Sequence, residues 1–208
     1  YFALTANTTG TQNTALGANA LDANTTNVRN TAVGYNALTA ATNDDNTAVG
    51  AQALEANTTG YYNVAMGYLA GAAITTGNSN VAIGTLALDA NTTASNNTAV
   101  GHAALTANTT GHSCVAVGST ALDANTTGVG NNAVGRDALG ANTSGSANQA
   151  FGRDVLSANT TGASNSAFGD SALKANTTAS NNTAVGQSAL LANTTGAGNT
   201  VVGRIAGD

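Results

Sequence analysis

Apolar and polar positions alternate along this chain in a pattern that returns every 17 residues, with a single step of 16. Each repeat closes on a glycine that follows an apolar residue and, before it, an alanine. A short fixed period predicts a solenoid, in which each repeat forms one turn, or rung, stacked on the next. The repeat glycines are Gly17, Gly34, Gly50, Gly67, Gly84, Gly101, Gly118, Gly135, Gly152, Gly169, Gly186 and Gly203.

Three apolar columns accompany the repeat glycine. The residue before it is Leu, Val, Ile, Met or Phe (the Val column), and the one before that is Ala except at Val201 (the Ala column). Four residues after the glycine comes Leu (the Leu column), interrupted by Gly71 and Gly207. Because neighbouring side chains of a strand point to opposite faces, we expect the Val and Leu columns to form the core and the Ala column a second face covered by a partner chain. The alternative is that these small residues lie exposed.

Asn and Thr form three further columns. Stacked Asn side chains can hydrogen-bond between rungs, and Asn also bonds its own backbone in turns, so these columns predict structural ladders at the corners of the coil. The first Asn column, four residues before the glycine, includes Asn13, Asn30, Asn46, Asn63, Asn80 and Asn97, with Cys114 as its exception. The second Asn column, seven residues after the glycine, is broken by Ala41 and Ile74. The Thr column follows it directly and includes Thr8, Thr25, Thr58 and Thr109.

These columns predict an all-β fold, a parallel β-solenoid or β-roll of about twelve 17-residue rungs, each with two short strands joined by two turns. We expect residues 1–208 to form one repetitive domain, a segment of a longer fibre. Twelve rungs at a spacing of ~4.8 Å correspond to a rod of about 58 Å. The short repeat loses its residue near Asn43, where a turn absorbs the deletion.

Composition narrows the class of protein. Charged residues make up 7% of the chain, the net charge is -5, and only five residues are basic. No basic stripe is present to neutralise a phosphate backbone, so we expect no nucleic-acid binding. We also expect no membrane span, because no apolar run has the required length. A single cysteine excludes an intrachain disulfide. Low charge with abundant Asn and Thr suits an extracellular or cell-surface protein, or a virion tail.

The repeated phrase resembles a known family. The segment Asn80-Val81-Ala82-Ile83-Gly84 is similar to the head repeats of trimeric autotransporter adhesins of the YadA type, and to repeats of phage tail fibres. The resemblance extends over all twelve repeats, although the period here is longer than in those heads. It implies a left-handed parallel β-roll wound as a homotrimer that binds host surfaces or matrix.

No constellation for catalysis emerges, and we expect neither an enzyme nor a cofactor. The ten acidic residues are scattered over outer columns, which indicates a solvated surface. His102, His112 and Cys114 lie within thirteen residues and suggest a metal site only weakly, because zinc takes three or four ligands. We favour the reading in which Cys114 replaces a ladder Asn as a small buried residue, and expect no metal.

Surface contacts are expected where the repeat departs from its consensus. The candidates are Tyr35, Tyr68, His102, Arg136 and Arg153. The two arginines stand beside acids in neighbouring rungs, which indicates a surface ion-pair ladder or, alternatively, a binding patch. The Asn-Thr-Thr phrase matches the glycosylation acceptor pattern, but it follows automatically from the repeat.

The sequence therefore predicts a structural and adhesive extracellular fibre segment. It would be a stiff rod that presents repeated Asn and Thr surfaces, associates with itself as a homotrimer or end to end in a filament, and contacts a host-surface receptor or glycan through many weak contacts. The alternative is a monomeric solenoid that binds ice or glycans.

Overall fold

The chain is a parallel β-solenoid in which every rung adds one short strand to a single sheet. The computed structural model describes residues 2–207. All strands are parallel and pair in chain order, and no helix occurs within the described residues, which confirms the predicted fold class. The strands are β1 (Thr14–Leu16), β2 (Thr31–Val33), β3 (Thr47–Val49), β4 (Val64–Met66), β5 (Val81–Ile83), β6 (Thr98–Val100), β7 (Val115–Val117), β8 (Asn132–Val134), β9 (Gln149–Phe151), β10 (Ser166–Phe168), β11 (Thr183–Val185) and β12 (Thr200–Val202).

The strands stack in register, so the sequence columns are physical columns. Ala15 pairs with Ala32, and the same position of the repeat pairs at every later step. The register survives the short repeat, because Thr31 still pairs with Thr47 across 16 residues. The missing residue falls in the bends between β2 and β3, outside the strands. Each rung therefore rests only on its two neighbours, as expected for a solenoid.

The prediction of two strands per rung is wrong. The segment that carries the Leu column is a series of turns, because alternate residues have positive φ, as at Asn36 (53°) and Leu38 (52°). A strand requires consecutive extended residues. Hydrogen bonds between rungs nevertheless continue here, since the Leu38 N–H donates to the Ala53 carbonyl at 2.9 Å. The turn segment is thus joined to its neighbours like the strand, without strand geometry.

The expected orientation of the strand is also wrong. The Ala column faces the core, where residues such as Ala116 are fully buried, and the Val column faces outward, with Val117 only partly buried. The Leu column lies in the same core as the Ala column, as predicted. Leu side chains such as Leu122 occupy most of the narrow interior, which leaves room for a methyl group but not for a branched side chain from the strand. The larger apolar residues therefore point outward.

Candidate functional site

The first Asn column forms a buried ladder inside the rod. The Asn63 amide oxygen accepts the Asn80 backbone N–H at 3.0 Å, and the Asn63 Nδ2 donates to the Gly77 carbonyl of the next rung at 2.9 Å. Buried polar groups need such partners. The same two contacts occur at all six predicted ladder residues of this column, Asn13, Asn30, Asn46, Asn63, Asn80 and Asn97.

Cys114 continues this ladder with sulfur instead of an amide. Its backbone N–H donates to the Asn97 amide oxygen at 3.0 Å, and its thiol donates to the Gly128 carbonyl at 3.4 Å. Burial raises the pKa of the thiol, although hydrogen bonds from the Asn131 and Gly130 backbone N–H groups act in the opposite direction. The thiol is therefore buried and protonated at neutral pH, a structural substitute for Asn rather than a reactive group.

The second Asn column forms a parallel ladder with one flaw. The Asn125 Nδ2 donates to the Asn108 amide oxygen at 2.9 Å, and the same contact repeats along most of the column. Asn57 is the exception, since its amide nitrogen and oxygen are buried without hydrogen-bond partners. Ala41 and Ile74 occupy the column in the rungs on either side. The two breaks in the column thus isolate the one Asn between them.

Thr residues of the Thr column hydrogen-bond along the rod at an exposed corner. The hydroxyls of Thr8, Thr58 and Thr109 each donate at 3.1 Å to the carbonyl of the Thr in the next rung, and Thr25 receives the bond from Thr8. These hydroxyls are therefore occupied within the chain. They stabilise the corner and have less capacity to bind a ligand.

The outward face of the sheet is an almost uncharged surface that runs along the rod. It consists of the Val column and of the first residue of each strand, which is Thr in six strands and Val, Asn, Gln or Ser in the others. The Phe151 and Phe168 rings stack on it, with centroids 5.1 Å apart and planes 5° apart. The stacking shows that equivalent side chains of neighbouring rungs are in contact. The face is thus a continuous apolar stripe flanked by mostly polar residues.

All five candidate contact residues lie in one exposed column, here termed the surface column, that directly follows the repeat glycine. Tyr35 and Tyr68 are 56% and 51% exposed, and His102 is exposed as well. The structure therefore places the candidates in one line along the rod, but not in one cluster. Tyr35 and Tyr68 are two rungs apart, with Ala51 between them.

Arg136 and Arg153 take part in ion pairs further along the surface column, toward its C-terminal end. Arg136 contacts Asp137 and Asp154, the latter at 3.2 Å, and Arg153 contacts Asp170 at 2.8 Å. A hydrogen bond from Ser171 and the Arg153 guanidinium lower the pKa of the Asp170 carboxyl. Exposed pairs of this kind contribute little to stability, and the arginines are already neutralised by acids.

Sequence reasoning named Tyr68 but missed the apolar character of the rest of its rung, which contains β4. Tyr61, Tyr62, Val64, Met66 and Tyr68 are all exposed, and the first two rings pack edge to face with centroids 5.0 Å apart. The signal was present in the sequence, because each of these residues is larger or more apolar than its counterparts in most other repeats. This rung carries the densest exposed apolar surface outside the first and last rungs.

The described surface carries no enclosed site. Within residues 2–207 the structure contains no pocket and no group of three His, Cys, Asp or Glu side chains placed to hold a metal ion. The same residues include no helix long and apolar enough to cross a membrane.

Fold and surface together define a parallel β-solenoid repeat protein. Comparison with protein-family models, curated proteins and solved structures finds no match to this chain. The resemblance to adhesin heads and tail fibres therefore stays a prediction.

Proposed function

We propose that the chain is a non-catalytic structural rod of an extracellular fibre, of the adhesin-head or tail-fibre kind, which assembles with copies of itself. The observation that carries this proposal is the unbroken ladder of twelve strands in register. Such a ladder makes a stiff spacer, because every rung is hydrogen-bonded to the next by strand, turn segment and buried Asn. Its repeated surface multiplies weak contacts to a host receptor or matrix through valency.

The outward sheet face supports self-association. A stripe of about 58 Å by about 10 Å presents roughly 600 Å² from the strand rows alone. A stable interface takes about 800 Å² from each partner, so the strand rows supply most of the area that each copy needs. Exposed apolar patches of this size mark interaction sites in soluble proteins. A second copy has the matching flat, almost uncharged face, so we assign the stripe to contacts between copies in a homotrimer or laterally paired filament.

The oligomeric state tests this assignment. We expect sedimentation and native mass measurements to give a species larger than the 20.1 kDa monomer. The triple variant V100T, V117T and V134T adds hydroxyls to the stripe and should shift the population to monomer without changing the circular dichroism spectrum. The matched control T93V, T110V and T127V makes the reverse exchange at an exposed corner and should leave assembly unchanged. A wild-type monomer at micromolar concentration contradicts the proposal.

An ice- or glycan-binding solenoid is the alternative. Strands of sequence Thr-Ala-Val, such as Thr31–Val33 and Thr98–Val100, present a hydroxyl and methyl groups outward, spaced along the face by one rung. Val64, Val81, Val115 and Asn132 interrupt the Thr positions, which disfavours a regular ice-binding array. Thermal hysteresis with faceted ice crystals at micromolar protein would favour the ice-binding solenoid over the fibre segment.

A further inference from the structure

We propose that Tyr35 and Tyr68 form a binding surface for a neutral β-1,4-linked polysaccharide that lies along the rod axis. Both rings belong to the surface column, and the residue between them, Ala51, carries only a methyl group. Their positions are two rungs apart, a distance of ~9.6 Å along the rod. This is close to one disaccharide unit of an extended β-1,4-linked chain, in which every second sugar turns the same face to the same side. Successive disaccharides would therefore meet successive rings.

Polar groups adjoin Tyr35 and Ala51, in two of the three rungs that the proposed surface spans. Asn36 follows Tyr35 directly, its Nδ2 donates to the Glu55 carboxylate at 2.8 Å, and its amide oxygen accepts a hydrogen bond from Asn19 at 2.9 Å. Gln52 follows Ala51 and donates to the other Glu55 oxygen at 2.9 Å. These contacts use only part of the hydrogen-bonding capacity of the amides and the carboxylate. The amide strip of Asn19, Asn36, Gln52 and Glu55 thus offers oriented donors and acceptors to sugar hydroxyls.

The strip begins one rung before Tyr35 and ends one rung before Tyr68. In the next two rungs, the positions that correspond to Asn36 and Gln52 are Leu69 and Leu86. Tyrosine suits this chemistry because its ring gives an apolar face to the sugar and its hydroxyl remains available to hydrogen-bond. Linked amides in the rung of Tyr35 and in the rung between the two tyrosines distinguish this place from the rest of the surface column.

The shape and charge of the surface select the class of ligand. The described residues contain no pocket that would enclose a small molecule, so an extended polymer fits better than a monosaccharide. The net charge of -5 disfavours acidic polysaccharides, because like charges repel. A neutral glucan or N-acetylglucosamine chain meets both conditions. The inference deepens the glycan-binding alternative and is independent of self-association.

Cellohexaose and chitohexaose are the probes for this surface, and maltohexaose, whose α-linkages coil the chain, is the comparison. The chain has no Trp, so its fluorescence arises from five tyrosines, and the part of a ligand-induced change that Y35A and Y68A remove reports contacts of those two rings. Calorimetry measures affinity. We expect at least one β-linked probe to bind and maltohexaose not to bind. Each of Y35A and Y68A should weaken binding roughly tenfold.

A register variant tests whether binding depends on the distance between the two tyrosine rings when the amino-acid composition is unchanged. The double exchange Tyr68→Thr with Thr85→Tyr moves one ring a rung further along the same column and preserves composition. We expect it to lose affinity as Y68A does, while Y62A, which removes an exposed ring from another column, should bind as the wild type. Unchanged far-ultraviolet circular dichroism shows that each variant is folded.

Two outcomes overturn the inference: no binding of either β-linked probe at millimolar concentration, or binding that neither Y35A, Y68A nor the register variant weakens. The triple variant of the Val column distinguishes this result from the self-association proposal. It should bind the probes as the wild type does, even if it is monomeric.

Discussion

Single asparagines determine how the interior of this rod is held together. The Gly145 carbonyl accepts hydrogen bonds from the Asn142 Nδ2 of its own rung at 3.0 Å and from the Asn131 Nδ2 of the preceding rung at 2.7 Å. Each such carbonyl therefore links the two Asn columns across a rung boundary. Because a buried amide without partners is costly, the ladder stabilises the stack only where its neighbours are complete.

Asn57 provides a test of this dependence. We expect N57L to be neutral or stabilising by up to about 1 kcal/mol, because it removes two buried polar atoms that have no partner. The matched variant N125L should cost about 3 kcal/mol or more of unfolding free energy, since it removes the three hydrogen bonds that Asn125 makes with Asn108, Gly128 and Asn142. Chemical denaturation and hydrogen exchange in the altered rung measure both effects. Equal losses in the two variants would contradict the ladder argument.

Partly buried carboxylates give the rod a pH dependence of definite sign. Burial raises the pKa of Asp123 above 3.8, and Asp137 raises it further, against hydrogen bonds from backbone N–H groups. Protonation of Asp123 therefore favours the folded state below about pH 3.8, and this contribution is lost as pH rises through the folded pKa. We expect D123N to raise the thermal midpoint at pH 7 and to have no effect at pH 3.

The opposite sign is expected at Asp45. A hydrogen bond from Arg29 lowers the pKa of its carboxyl, so its contribution is present above pH 3.8 and lost as pH falls through the folded pKa. D45N should lower the midpoint slightly at pH 7 and not at pH 2. The same response from both variants would contradict the assignment of these shifts.

At the scale of one rung, the sequence predicts which residue types recur but not which face of the strand points into the core. The period, the buried Leu column and the corner positions of Asn and Thr follow from spacing alone. Which face of the strand is buried does not follow from spacing, because the Ala and Val columns are both apolar and their alternation does not show which one faces the core. The volume of the interior decides this orientation, because Leu side chains already occupy it and leave room for Ala but not for Val. Positive φ at residues such as Leu122 leaves no compositional signal, so the spacing predicts a strand where the chain forms turns.

Some exceptions in the sequence are compensated within the same rung. Gly71 interrupts the Leu column, and Ile74 interrupts the second Asn column three residues later. A Cβ placed on Gly71 would lie 2.9 Å from the Ile74 Cδ1 and 3.2 Å from the Leu54 Cδ2. Ile74 therefore fills the volume that the missing Leu leaves, and the core stays closed. The candidate surface is predictable to a similar degree: exceptions reveal Tyr35 and Tyr68, but not their alignment with the amide strip.

The repeat glycine is required by close approach as well as by its backbone angle. Gly118 has φ of 141°, and a Cβ there would lie 2.4 Å from the Gly135 carbonyl oxygen of the next rung. We expect G118A to cost about 3 kcal/mol or more, because the obstructing atom is backbone in a stacked sheet. Gly130 is the matched control, with φ of 66° and open space around it, and G130A should cost about 1–2 kcal/mol. Denaturation midpoints of the two variants measure these costs, and equal losses of stability in G118A and G130A would contradict the argument from stacking.

For the whole molecule, stability is a sum over rungs and the contacts between them. Each strand pairs only with its neighbours in the chain, and each turn segment and Asn ladder bonds only to adjacent rungs. The rod can therefore be longer or shorter according to the number of repeats, because no core has to close around the whole chain. This property suits a spacer, because a fibre can be lengthened or shortened while its surface stays the same.

Removal of one complete rung tests this modularity. Deletion of residues 119–135 joins Gly118 to Arg136 and keeps every column in register, since the segment is one full period. We expect the variant to fold with the same circular dichroism spectrum and to be shorter by about 5 Å in small-angle scattering. Deletion of residues 119–126 removes half a rung, so Ala and Leu columns no longer continue across the junction. That variant should expose buried Asn and Leu and lose cooperative unfolding. If the full-rung deletion is as disruptive as the half-rung deletion, long-range contacts hold the rod together and the nearest-neighbour description fails.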